Sequence, residues 1–421
     1  MEILSIIFII VIAAGIAYAL IGLSFLFVEA FRASRARRIP VAFPAVSVFK
    51  PLKGLDDNLE NNLRSFFELD YPEYELIFGV MDFDDPAVDI VKKLRAEYPK
   101  IRSSLVIDSR RIGLNPKVCN LCNMHDSARY DYMLISDSNV HVRPGYLKDM
   151  MQHLVEPGVG LVTSTIRGMR AAGFGAILEN LHLNGYVASS VYTVPRLFGV
   201  PITVGKSMLF RRRTLDELGG FGAFVDYLGE DALMGQRIKA AGYKIKTSFA
   251  YIDNVNVRWD LTKYCNRHFR WATLRRHFNI FNYAAEIISN PVAVSFIYFM
   301  IQRDLQSLAV FGLTACLKTL IDMAASYLLR SDLRRYHYFL IPLKDILMSL
   351  IWVIPFFRRT VSWRGNRFVI TKNTALYPVR QKSYVVRFNL MLDHLRGTAA
   401  RTYSHANIHW HRLLRLIQTA D

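Results

Sequence analysis

Residues 3 to 28, "ILSIIFIIVIAAGIAYALIGLSFLFV", carry no charge, and the run exceeds the roughly 20 apolar residues that a helix needs to cross a bilayer's hydrocarbon core. The pattern then shortens. Between residues 45 and 165 the apolar runs "VSVFK" (46–50), "ELIFGVM" (75–81), "SSLVID" (103–108), "YMLISD" (132–137) and "VGLVTS" (159–164) alternate with helical stretches at 56–68, 86–97 and 116–128. Continuous apolar strands separated by crossover helices predict an α/β domain with a mostly parallel sheet covered on both faces. In such sheets ligands bind at the carboxyl ends of the strands. Past residue 285 the chain becomes apolar again. The segment 290–301 is short and is expected to lie at the membrane interface. Residues 305–329 and 337–357 are longer, broken by Lys318 with Asp322 and by Lys344 with Asp345. Lys318 and Asp322, spaced i, i+4, can neutralise each other on one helix face. These runs predict one N-terminal span and about two to three C-terminal transmembrane or interfacial helices.

Charge orients this arrangement. Arg32, Arg35, Arg37 and Arg38 follow the first apolar run directly, whereas Glu2 alone precedes it. The positive-inside rule therefore places everything after residue 30 in the cytosol, on a multi-pass protein of the inner (cytoplasmic) membrane. A cleaved signal peptide would have a basic leading region and a shorter apolar run. The net charge of +18 and the 52% hydrophobic content fit a chain held against an anionic leaflet. Nucleic-acid binding is not expected, because the basic residues are dispersed and no such fold motif occurs. The four cysteines imply no disulfide framework in a cytosolic domain. Cys119 and Cys122 form a C-x-x-C without a second pair at metal spacing, so zinc is not expected.

Acidic residues mark two strand ends: Asp82, Asp84 and Asp85 in "VMDFDDP", and Asp137 in "ISDSN". A nucleotide-sugar donor needs a carboxylate or amide for its base and ribose, a divalent cation and positive charge for its diphosphate, and a base for the acceptor's hydroxyl proton. Asp137 and Asn139, two apart after a strand, can both face one hard cation through oxygen. Magnesium keeps several waters and suits so sparse a ligand set. Farther on, "YLGEDALMGQRIKAAG" (227–242) sets Glu230 and Asp231 at the start of a short helix that ends at Gly242. A helix N-terminus favours the anion, which predicts Asp231 deprotonated at neutral pH and only weakly basic. Glu230, about 100° away around the helix, is expected to face elsewhere.

The motifs "KPLKGLDDNLENNLRSFFELDYPEYEL", "DFDDPAVDIVKKL", "LNPKVCNL", "SDSN", "GED" and "RHFRW", with "TVSWRGNRF" at 360–368, together resemble the ceramide glucosyltransferases. These are membrane-bound, inverting glycosyltransferases of GT-A fold, in the wider group of cellulose and hyaluronan synthases. The resemblance runs from about residue 45 to 280 and extends to the layout of one N-terminal span and a hydrophobic C-terminal block. It implies that Asp85 contacts the nucleotide, with Asp82 and Asp84 as neighbours able to take that role. It implies Asp137 as the metal ligand on the donor diphosphate, with Mg2+ or Mn2+ bound alongside the UDP-sugar, and Asp231 as the catalytic base. Lys117 falls where related enzymes hold a donor-binding basic residue. Arg267, Arg270 and Trp271 match the [Q/R]-x-x-R-W motif on the acceptor and leaving-group side. At i, i+3, i+4 they share a helix face, where an indole and two guanidiniums can hold a sugar face and a departing diphosphate.

The expected activity is transfer of glucose from UDP-glucose to ceramide, giving a β-glycosyl lipid. Diacylglycerol or a hopanoid remains open as acceptor, and UDP-galactose or UDP-GlcNAc as donor. A processive polysaccharide synthase needs more spans than these. A non-catalytic scaffold would not need Asp85, Asp137, Asp231 and Trp271, all of which are present. Residues 167–204 depart from the animal enzymes where acceptor recognition is expected, and His182 there is read as structural. The expected organisation is a membrane helix at 1–30, a catalytic domain at 45–285, membrane helices at 286–358 and a basic tail at 359–421. In that tail "RFNLMLDHLRG" and "WHRLLRLIQ" suit adhesion to a membrane surface. No oligomeric state follows from the sequence.

Overall fold

A computed structural model describes residues 2–35, 43–363 and 366–379. Arg37 and Arg38, residues 364–365 and the amphipathic segments of the tail lie outside the described residues. The chain begins with α1 (Glu2–Arg35), whose last turn carries Arg32 and Arg35. The alternating region forms β1 (Val46–Pro51), α2 (Leu59–Phe67), β2 (Tyr74–Val80), α3 (Ala87–Glu97), β3 (Ser103–Ile107), α4 (Pro116–His125), β4 (Tyr132–Ile135), β5 (Val140–His141), α5 (Tyr146–Leu154) and β6 (Val159–Met169). Then come α6 (Phe174–His182), a π-helical turn at Leu183–Val187, α7 (Ala188–Phe198), β7 (Met208–Arg211), α8 (Arg212–Asp216), α9 (Glu230–Ala240) and β8 (Lys244–Val255).

The eight strands form one mixed sheet in the order β3-β2-β1-β4-β7-β6-β8-β5. The pairs β3–β2, β2–β1, β1–β4 and β6–β8 are parallel. β7 runs antiparallel to both its neighbours and β5 antiparallel to β8. Successive strand residues enter opposite layers, as a period of two requires. Val46, Val48, Leu76, Phe78 and Leu134 pack with Leu63 and Phe66 of α2, Val91 of α3 and Met150 of α5. Phe49, Ile77, Met133 and Ile135 pack with Val118 and Leu121 of α4 and Met234 and Ile238 of α9. Helices therefore cover both faces. The order reverses at β1, between β2 and β4, and the crevice outside the carboxyl ends there is the switch point where open α/β sheets bind ligands.

Among the described residues β8 is followed by a largely helical part: α10 (Leu261–Phe278), α11 (Ile280–Ala285), α12 (Pro291–Gln302), α13 (Leu305–Leu328) and α14 (Ile341–Phe357). Among the described residues three helical stretches are long and apolar enough to cross a membrane, 2–35, 305–328 and 335–357. The segment expected at the interface packs against these helices. Residues 280–289 and α12 meet at a 77° bend, and α12 lies against α1 and α13 through Phe8–Tyr298, Phe296–Phe311 and a Gln302–Ser5 hydrogen bond of 2.9 Å. Lys318 pairs with Asp322 on its own helix, and the buried Lys344 reaches both Asp322 and Asp345, joining α13 to α14. A small sheet, β9 (Thr360–Trp363), β10 (Asn366–Ile370) and β11 (Leu376–Pro378), follows.

Candidate active site

Three segments converge beyond the carboxyl edge of the sheet. The first is "LNPK", residues 114–117. Asn115 caps α4 by accepting from the backbone N–H of Lys117 and Val118, and Pro116 opens the helix, a placement its missing N–H suits. The second is the turn from β4 to β5, which carries Asp137, Ser138 and Asn139. The third is the start of α9, with Glu230 and Asp231. Asn115 Nδ2 donates to Tyr227 O at 2.7 Å and its backbone N–H to Val225 O at 2.6 Å. Those contacts fasten the first segment to the third.

Lys117 links all three segments. Its ammonium is 2.9 Å from Asp137 Oδ1 and 3.1 Å from Glu230 Oε1, and it donates to Gly205 O at 3.0 Å. Burial works against its charge, but Asp137, Glu230 and Asp231 outweigh that and push its pKa up. Lys206 takes the other side of Asp137: Nζ is 3.2 Å from Oδ2 and also donates to Asn139 Oδ1. Lys50, fully buried at the end of β1, donates to Asp137 O at 2.6 Å. Burial raises the Asp137 carboxyl, but Lys117 and Lys206 outweigh it and hold the group below the usual carboxylate range. Burial, opposed by Asp137 and assisted by Arg267, brings Lys206 down to about 8.

Asp231 Oδ2 accepts from the Gly205 N–H at 3.1 Å, and Oδ1 from the Ala232 N–H at 2.8 Å. A Cβ at Gly205 would lie 2.4 Å from Oδ2, so the close approach of turn and carboxylate requires glycine. Burial and the neighbouring Glu230 raise the Asp231 carboxyl to about 6, against Lys117 and the Ala232 N–H. This corrects the expectation of a weakly basic anion, because desolvation outweighs the helix terminus. Glu230 is also corrected. It faces the site, because the long Lys117 side chain reaches across the angle between the two helix positions.

The first acidic strand end divides. Both Asp85 oxygens accept the Gly54 N–H, at 3.0 and 2.8 Å, and Oδ1 accepts the Ala87 N–H at 2.9 Å. Asp85 therefore ties "KPLKG" to the start of α3, whereas Asp82 and Asp84 are exposed. The same loop reaches further: Asp56 accepts from Ser138 Oγ, and Asp57 from the N–H groups of Val257 and Arg258.

Arg267, Arg270 and Trp271 all lie on α10. Arg267 is buried, with its guanidinium 4.3 Å from the Trp271 ring centroid and 5.2 Å from that of Trp259. Its Nη1 is 3.2 Å from Glu179 Oε1, and His268 Nε2 is 2.7 Å from Glu179 Oε2. Glu179 has no exposed surface. Burial raises it, but Arg267 and His268 bring it down to about 2. Arg270 and Trp271 are half-buried. His182 stacks edge-on against His268, 4.7 Å between rings. The sequence reading missed Glu179, Gly205 and Lys206. The glycine-lysine pair in "VGKS" ahead of a short strand was the available signal.

The donor set for a cation is open. Asp137 Oδ2 and Asn139 Oδ1 converge on a single ammonium, so both can face one small cation. Among the described residues no group of three or more His, Cys, Asp or Glu surrounds a point. The residues fit a divalent ion whose remaining ligands are waters and phosphate oxygens.

A family model described as Glycosyl transferase family 21 matches residues 7–376. Ceramide glucosyltransferase 3 of Caenorhabditis elegans is 33% identical over 235 residues, 56% of this chain and 51% of its own length. The ceramide glucosyltransferase of Komagataella phaffii is 26% identical over 306 residues, 59% of this chain and 60% of its own. The chain thus spans about half the length of the curated relatives it matches. Among solved structures, mannosyltransferase PcManGT from Pyrobaculum calidifontis in complex with GDP-Man and Mn2+ aligns with a TM-score of 0.45 and 16% identity, over 82% of this chain and 99% of its own.

Proposed function

The chain belongs to glycosyl transferase family 21, and we propose that it is a membrane-bound hexosyltransferase. It moves glucose from UDP-glucose to the hydroxyl of a lipid acceptor, ceramide, with inversion at the anomeric carbon. The observation that carries this reading is the line of contacts from Asp231 through Gly205 and Lys117 to Asp137 at the carboxyl edge of the sheet.

Asp231 takes the proton from the acceptor hydroxyl as that oxygen attacks the anomeric carbon. The sugar–phosphate bond breaks and its electron pair leaves with UDP. Glu230 is engaged by Lys117 and Asn115, so the nucleophile is the acceptor oxygen itself. One displacement then turns an α-linked donor into a β-glycoside. Lys117, Lys206 and Arg267 supply positive charge to the departing diphosphate in a site that excludes much of the water. Asp137 and Asn139 would hold Mg2+ or Mn2+ together with the donor, and the ion would supply Lewis-acid stabilisation of the same charge. Asp82 and Asp84 serve the nucleotide, and Asp85 shapes their loop through Gly54. Arg270 and Trp271 serve the acceptor side. Residues 45–285 form the catalytic domain, and the apolar helices before and after it hold it at the cytosolic face of the membrane.

The test is expression in a host without glycolipids, followed by incubation of its membranes with each labelled UDP-sugar and with ceramide, diacylglycerol or a hopanoid. β-Glucosylceramide is the expected product, and a labelled polymer would overturn the reading. Asp231→Asn should abolish turnover while UDP binding stays within a few-fold. Near-normal turnover in that variant removes Asp231 as the base.

A further inference from the structure

Lys206 Nζ lies at the point on which Asp137 Oδ2 and Asn139 Oδ1 converge. These are the two oxygens assigned above to a divalent ion. The backbone beneath Lys206 is fastened on both sides. Thr163 Oγ1 accepts from the Val204 N–H at 2.9 Å and donates to Ser207 O at 2.9 Å. Ser207 Oγ lies 2.6 Å from the Tyr146 hydroxyl and donates to Ser164 Oγ at 3.0 Å. The root of the side chain is therefore fixed, and only its own torsions can move the ammonium.

The surroundings make that point unwelcoming to a bare divalent ion. Lys117 occupies the second Asp137 oxygen and Lys50 the Asp137 carbonyl. Glu230 also engages Lys117, at 3.1 Å, but at the point between Asp137 Oδ2 and Asn139 Oδ1 one carboxylate and one amide oxygen already face the Lys206 ammonium, and like charges at contact distance in a buried site repel strongly. A diphosphate brings the missing negative charge and the missing oxygen ligands together.

We propose that Lys206 is a resident cation, holding the metal position until a nucleotide diphosphate arrives and so making divalent-ion binding dependent on nucleotide. The inference rests on the glycosyl-transfer reading above and adds an order to it: no stable metal site exists before the donor. Removing the Lys206 charge uncouples the two.

The test is Mn2+ binding to the purified full chain, followed by electron paramagnetic resonance with and without UDP. The wild type should bind Mn2+ at least about tenfold more tightly with UDP than without it. Lys206→Met should bind Mn2+ without UDP at least about tenfold more tightly than the wild type, and Lys206→Arg should stay with the wild type. Lys206→Gln is measured alongside, so that loss of fold in one variant leaves the comparison intact. Equal Mn2+ affinity of the wild type and the neutral variants without UDP overturns the inference alone. Failure of the wild type to bind Mn2+ with UDP present overturns the metal assignment as well.

Discussion

At Asp231 burial and Glu230 raise the carboxyl, while Lys117 and the Ala232 N–H lower it, and the balance settles at about 6. As the proposed base, a carboxyl at that value is ionised at neutral pH and accepts a proton more readily than an ordinary aspartate. The sign for activity follows: below about pH 6 the base fills with protons, and kcat/KM should fall about tenfold per pH unit. Glu230→Gln removes the negative neighbour, so the acid limb should move to lower pH. A pH–rate profile of the two enzymes checks this, and a shift to higher pH would show that Glu230 does not act on Asp231 through charge. Asp137 and Asp231 stood out in the sequence as a strand end and a helix start, Lys117 entered through the resemblance, and the structure brings the three together. Gly205 and Lys206 did not stand out, because they lie in a stretch without hydrophobic period. Glu179 meets His268 from 89 positions away, a pairing that only the folded chain brings about.

At the scale of elements, the apolar strands β1 to β4 and the first part of β6 were readable, and β7 and β8 were not. β7 has four residues, and β8 is a half-buried edge neighbour carrying Lys244, Lys246 and Asp253, so neither shows the continuous apolar run of a central strand. The turn between β10 and β11 does more than end the fold. Thr374 O accepts the Leu228 N–H at 3.0 Å, Thr374 Oγ1 the Gly229 N–H at 3.3 Å, and Asp226 O the Leu376 N–H at 2.8 Å. Asn373 and Thr374 adopt φ of 56° and 66°, a left-handed backbone that costs a β-branched residue on the order of 1–3 kcal/mol. The bonds to the start of α9 hold that strain in place and fix the backbone just before Asp231. A chain ending at residue 358 keeps every apolar helix yet should lose about 100-fold in kcat, the scale of a 1 Å misplacement. Membrane fractionation and single-turnover rates check it, and full activity would show that α9 needs no strap.

For the whole molecule, α1 is structural as well as an anchor. It packs on α7, α12 and α13, and Glu29 pairs with Arg196 of α7 at 2.6 Å. A Cβ at Gly15 would lie 2.4 Å from Ile288 O, and one at Gly22 3.1 Å from Ser189 Cβ. The first helix therefore seats against backbone of the bend before α12. Gly15→Leu should destabilise the folded chain by about 1–3 kcal/mol, the usual cost of overpacking. Its melting temperature in detergent should fall, and an unchanged value would mean that α1 is held by lipid alone. The apolar runs told of these helices, but the seating depends on single glycines that a hydropathy pattern does not weigh.

The bond from Gly229 to Thr374 also sets a clock. Its partners are 145 residues apart, and a ribosome adding about 5–20 residues per second makes the second roughly 7 to 30 s after the first. The sheet edge that carries Asp137 is synthesised long before the stitch that fixes the backbone ahead of Asp231. A growing chain that already carries its apolar helices therefore lacks this strap until Thr374 has emerged, and a message cut short before it should leave a protein of much reduced activity.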